Sequence, residues 1–186
     1  MEPGNPIELK QQLHAIMNLA WIAIVGFHLL EERTLADPTW DFPMQTRYHT
    51  EPFGIRPMLD ALRQPQDSEL HQFHSRNLFV QLARATLPDA FEAVESYCNK
   101  HDIRAFEDQP WYGFLEALRD AFTHSGKFGP YGKIKKQRVL GSVWRGKQFF
   151  ESMIDHEIPM SFFDFEDLIR LINDIGEFVD QLPLTY

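Results

Sequence analysis

The segment PWYGFLEALRDAFTHSG, residues 110–126, decides how the rest of this 186-residue chain is read. Asp108 or Gln109 suits the cap of a helix, Pro110 its first turn, and Gly126 the position just past its end. Trp111, Phe114, Leu115, Leu118, Ala121 and Phe122 recur at helical spacing and form one apolar face. The other side carries Tyr112, Glu116, Arg119, Asp120, Thr123 and His124. At about 100° per residue, Arg119 and His124 lie roughly 140° apart on the two borders of that polar face. Asp120 sits between them, one turn before His124 and within its reach. A guanidinium, a carboxylate and an imidazole therefore share one helix end, where the macrodipole favours positive charge.

The run Arg119-Asp120-Ala121-Phe122-Thr123-His124 resembles the signature of the HEPN superfamily: arginine, a polar residue, then histidine after four to six intervening residues. The resemblance is specific over about fifteen residues; elsewhere it is one of size and helical character. It implies an all-α fold, a HEPN-like bundle of about five helices in which the motif ends a helix. It also implies a homodimer through the motif helix and a metal-independent endoribonuclease with Arg119, His124 and Asp120 as the catalytic set. In such an enzyme the RNA 2′-hydroxyl attacks the neighbouring phosphorus and leaves a 2′,3′-cyclic phosphate. Histidine suits the proton transfers because it titrates near neutrality, and arginine suits the phosphorane charge because its planar fork matches phosphate oxygens. One motif supplies one histidine where base plus acid ask for two; a twofold dimer supplies both. Asp120 is expected to orient His124 or Arg119. Many proteins of this type are toxins or defence effectors, so an antitoxin is a further expected partner. The tyrosine that some members carry two residues past the histidine is Gly126 here, which speaks against control by modification at that position.

Charge is unevenly spread around this segment. The net charge of −9 argues against a general nucleic-acid coat protein. Yet residues 125–150 contain no Asp or Glu and hold seven of the eighteen basic residues, leaving eleven basic against twenty-seven acidic side chains in the rest. Lys127, Lys133, Lys135, Lys136 and Arg138 are the expected contacts to an RNA backbone, whose phosphates release counterions when neutralised. DNA, without a 2′-hydroxyl, is not an expected substrate.

Composition, 44% hydrophobic and 24% charged, is that of a globular chain, and residues 1–186 read as a single helical domain. Residues 7–34 predict one long helix after Asn5-Pro6. Its apolar run, residues 15–30, includes Asn18 and His28 and falls short of the about 20 residues of a membrane span, so a buried or interface helix is expected. The opening Met-Glu-Pro-Gly-Asn-Pro lacks a basic leader, and the lone Cys98 permits no internal disulfide; the expected setting is the cytoplasm. Residues 37–67 hold five prolines and read as an excursion without a long helix. A helix from Asp67-Ser68 is expected to break at Leu87-Pro88, where a second begins. Residues 125–150 read as a basic loop and hairpin insert: a loop over 126–132, then a small β-hairpin over 138–150 turning at Arg145-Gly146. Ser161 with Asp164 opens the last helix, on which Phe165, Leu168, Ile172, Ile175, Val179 and Leu182 make a core-facing stripe.

Other chemistry finds less support. His71 and His74 are three apart, but the Glu-x-x-His spacing of a helical di-iron site occurs nowhere. Residues 126–133 fail as a phosphate loop, because Ile134 follows Gly132-Lys133 and a helix precedes the run. Neither metal nor cofactor is expected. Two alternatives to the ribonuclease remain: a catalytically silent HEPN-like module binding RNA or protein, and a ligand-binding bundle with residues 37–67 over an aromatic pocket.

Overall fold

The computed structural model describes residues 5–37, 39, 43–44, 53–54, 60–61, 63–65, 67–124, 127–129 and 132–182, without the side chains of residues 43, 44, 53, 54, 124, 133 and 134. Among these residues five α-helices dominate: α1 (Pro6–Ala36), α2 (Glu69–Lys100), α3 (Tyr112–His124), α4 (Lys133–Gly141) and α5 (Phe165–Asp180). Two short antiparallel ladders accompany them, β1 (Pro43–Met44) with β2 (Phe53–Gly54) and β3 (Val143–Trp144) with β4 (Lys147–Gln148). The fold is all-α with a small hairpin. The chain divides into two compact units, Met1–Trp21 with Val80–Tyr186, and Ile22–Phe79.

In the first unit, α5 shows most plainly why these residues form these elements. Its apolar stripe, Leu168, Leu171, Ile172, Ile175 and Val179, is buried along its length. The helix is started by a reciprocal cap. Asp164 Oδ1 accepts from the Asp167 N–H at 3.0 Å, and Asp167 Oδ2 accepts from the Asp164 N–H at 3.2 Å. The cap thus lies at Asp164, three residues past Ser161. Asp167 is buried, and Lys147 Nζ donates to it at 2.6 Å and to the Phe162 carbonyl at 2.7 Å, tying the hairpin to the start of α5.

The hairpin turns at Arg145 and Gly146, both at positive φ (48° and 78°), the geometry that matches the twist of its flanking strands. Trp144 Nε1 donates to Asp174 Oδ2 at 2.6 Å, and the Trp144 ring stacks on Phe114 at 5.5 Å. Phe149 stacks with Phe114 at 4.8 Å and with Phe128 at 4.2 Å. This aromatic pile is the floor on which α3 rests.

Two local expectations are corrected. The hairpin was expected from residue 138, but residues 133–141 form α4 and the strands hold two residues each. A helix puts Lys135 and Arg138, three apart, on one face, where both meet acids of α3; a strand would send them to opposite sides. The expected break at Pro88 is also absent, and α2 runs through it. The proline forfeits one backbone bond at a cost of about 3 kcal/mol, but Leu87, Ala90, Phe91 and Val94 around it are fully buried. At about 1.5–3 kcal/mol for each large side chain, that burial offsets the loss.

Helix α1 starts on a cap as its sequence suggests, Asn5 Oδ1 accepting from the Glu8 N–H at 3.0 Å. Leu9, Leu13, Ile16 and Ala20 make its buried stripe in the first unit. Further along, Ile22, Val25 and Leu29 are exposed. The helix is long and apolar enough to cross a bilayer, with a mean hydropathy of 1.8 over its most apolar eighteen residues, of which 17% are buried. Its packing in the first unit is carried by that one narrow stripe. In the second unit His71 and Thr34 are buried; His71 Nε2 lies 3.7 Å from Glu31 Oε1, and His28 Nδ1 lies 3.6 Å from Glu31 Oε2.

Candidate active site at the end of the motif helix

The apolar side of α3 is packed as its spacing requires: Phe114, Leu115, Leu118, Ala121 and Phe122 are all buried. The opposite side is not the open polar face that the sequence suggests. Tyr112 and Glu116 are buried as well, Glu116 at 6% exposure, because α4 lies across them. Gly113 makes this close approach possible; a Cβ there would sit 2.9 Å from the Arg138 carbonyl oxygen and closer still to Ser142 Oγ.

A charged lattice fills the seam between the two helices. Arg138 donates from Nε to Glu116 Oε2 at 3.0 Å and from Nη2 to Glu116 Oε1 at 2.6 Å, and its guanidinium carbon lies 5.2 Å from the Tyr112 ring centroid. Lys135 Nζ lies 3.3 Å from Glu116 Oε1 and pairs with Asp120. The Tyr112 hydroxyl donates to Glu95 Oε1 at 3.1 Å. Burial, reinforced by the Glu95 and Glu116 carboxylates, pushes the Tyr112 phenol well above its usual range.

Arg119 lies one turn further along α3. Its guanidinium carbon sits 4.5 Å above the Phe91 ring centroid, on α2, within cation–π range. Arg119 Nε is buried without a hydrogen-bond acceptor; Asp120 Oδ1 is 3.4 Å away. Asp120 therefore stands between Arg119 and Lys135. The end of α3 is held by Arg84 of α2, whose Nε donates to the Phe122 carbonyl at 3.0 Å, while Thr123 Oγ1 donates to the Arg119 carbonyl at 2.7 Å. The backbone of His124 closes the helix, and its side chain lies outside the described residues.

The expected RNA contacts fall in different places. Lys135 and Arg138 face α3 and its acids, and Lys136 pairs with Glu151 on the following 3-10 turn, where its hydrogen bond holds the Glu151 carboxyl below the usual range. Lys127 is exposed and its backbone bridges to Glu157, next to the Phe128 N–H, which donates to the His156 carbonyl at 2.9 Å. The Lys133 side chain lies outside the described residues. His71 and His74 have separate surroundings, Glu31 for the first and the edge of Phe73 at 5.4 Å for the second. Among the described residues no group of three His, Cys, Asp or Glu side chains is arranged to hold a metal ion. Most of residues 37–67, the expected cover of an aromatic pocket, lies outside the described residues.

Sequence reasoning missed Phe91, Arg84 and the burial of Glu116. The first two come from α2 and carry no local signal; Glu116 stands on the polar face, and its burial depends on α4. Comparison with protein-family models, with curated proteins and with solved structures finds no match to this chain.

Proposed function

We propose that the chain is a metal-independent endoribonuclease of the HEPN type. One cluster carries the reading: an arginine over the Phe91 ring, an acid at its Nε side, and a lysine from α4, all at the end of the helix that His124 closes. Arg119 is the group for phosphorane charge, because its planar fork matches phosphate oxygens and keeps its charge. His124 takes the proton of the 2′-hydroxyl or gives one to the leaving 5′-oxygen, and the histidine of a second copy does the other. Before RNA binds, Asp120 stands beside Arg119 as its acidic neighbour. The homodimer forms through the motif helix, and the exposed Leu19, Trp21, Ile22, Val25 and Leu29 of α1 are further apolar surface for a subunit contact. As a toxin or defence effector, the enzyme works on cytoplasmic RNA and answers to an antitoxin.

The test is end-group analysis of RNA incubated with the protein in EDTA. Cyclic-phosphate and 5′-hydroxyl ends are the expected products, with DNA untouched; ends of another kind, or cutting that needs a divalent ion, would contradict the proposal. A second reading, a silent module that binds RNA or protein, is favoured by one observation. Arg119, Lys135, Lys136 and Arg138 each carry a carboxylate partner. That reading expects salt-sensitive RNA binding and no cut ends.

A further inference from the structure

We propose that Asp120 is the resident counter-ion of an anion seat built by Arg119 and Lys135, and that an RNA phosphodiester enters by displacing it. The inference rests on the ribonuclease reading of the same site and says how that site is kept closed at rest.

Two cations from different helices converge on this one carboxylate, Arg119 on Oδ1 and Lys135 on Oδ2. All three side chains are partly open to solvent, Arg119 by 24%, Lys135 by 30% and Asp120 by 16%, so a ligand can reach them. The carboxylate's hold on Arg119 is loose. At 3.4 Å it leaves the buried Nε without a hydrogen bond, whereas Arg138 nearby grips Glu116 with two nitrogens at 2.6 and 3.0 Å. A buried donor left unmade is costly, about 1–3 kcal/mol, and here it points to a better acceptor than the one in place.

A phosphodiester is that acceptor. Its two non-bridging oxygens offer a bite like that of a carboxylate, and arginine favours such a bidentate match. The Phe91 ring stays within cation–π range of the guanidinium, 4.5 Å from its carbon, whichever anion it meets. Lys135 turns from Asp120 to the phosphate with Glu116 Oε1 still 3.3 Å from its amine. The displaced Asp120 carboxylate turns to water, its preferred surroundings once unpaired. The seat therefore discriminates: a ligand must bring enough phosphates to outcompete an acid tethered at the site, which an RNA strand does and a single phosphate ion does not.

Anisotropy titrations with a 2′-O-methyl RNA oligonucleotide, which cannot be cut, test this across a salt series. The proteins are the full chain, Asp120→Asn, Lys135→Gln, and Glu166→Gln as a control for net charge, since Glu166 pairs with Arg170 within α5. Asp120→Asn is expected to bind about tenfold tighter, with a salt slope steeper by about 0.7 for each cation freed to meet a phosphate. Lys135→Gln is expected to bind about tenfold more weakly with a shallower slope, and Glu166→Gln to stay within about twofold of the parent. Unchanged or weaker binding by a folded Asp120→Asn overturns the proposal; should that variant fail to fold, unchanged binding by Lys135→Gln overturns it instead. If no variant binds RNA, seat and nuclease fall together. The two claims otherwise separate, because binding is read without turnover and the nuclease is read from cyclic-phosphate ends on unmodified RNA. Tighter binding by Asp120→Asn with no cut ends keeps the seat and sinks the nuclease; cut ends with unchanged Asp120→Asn affinity sink the seat alone.

Discussion

Truncating the two partners of the Glu116–Arg138 pair should have unequal costs, and the base should matter more than the acid. The Glu116 side chain is 8% exposed, while the Arg138 side chain is 42% exposed. Glu116→Gln leaves Arg138 able to swing into water, and Lys135 keeps Asp120, so the loss is that of a half-exposed pair, about 1–2 kcal/mol. Arg138→Met keeps the apolar stem but strands a buried carboxylate with only Lys135 at 3.3 Å. It also loses the contact over Tyr112, worth about 0.5–1 kcal/mol. Removing one member of a fully buried pair costs about 3–5 kcal/mol; with Lys135 as partial relief, about 2–4 kcal/mol is expected. Urea unfolding of the two single variants and the double variant measures both losses and their coupling. Equal losses, or a larger one for Glu116→Gln, would refute the view that α4 is clamped by an acid it buries.

Two further predictions follow from the same seam and its neighbourhood. Gly113→Ala sets a Cβ 2.9 Å from a backbone oxygen that cannot swing aside, an overpacking cost of about 1–3 kcal/mol, of which alanine's helix propensity returns about 1; a net loss of up to about 2 kcal/mol is expected in urea melts, and a gain would show that α4 is not seated on α3. Burial pushes the Cys98 thiol from 9.0 up to about 11 and raises Tyr112 too, so both groups hold their protons more tightly when folded. Stability is then full below about pH 9 and falls as pH rises toward 11, by about 1–3 kcal/mol for the thiol. Cys98→Ala should flatten that decline in pH-dependent melts, and an unaltered decline would show that the thiol does not contribute.

Elements written in local sequence were legible. Asn5-Pro6 starts α1, the stripe from Phe165 onward makes α5, and Arg145-Gly146 turns the hairpin, because caps, helical period and φ preference act within a few residues. What failed locally was decided by packing at a distance. Pro88 stays inside α2, where the residues around it are buried, and the helix at residues 133–141 sets Lys135 and Arg138 together against Glu116 and Asp120. The same division holds at the candidate site. Arg119, Asp120 and His124 are neighbours in sequence and on α3, so spacing alone brings them to one helix end. Phe91 and Arg84 reach that end from α2, and their part depends on a helix contact that no short-range pattern encodes.

In the proposed enzyme, His124 does proton-transfer chemistry on RNA. The most direct measurement is the cleavage rate of RNA by the wild type and His124→Ala, side by side in EDTA, with equal folding confirmed by melting. The proposal predicts that the variant is slower by about 10²-fold or more. Equal rates would contradict it.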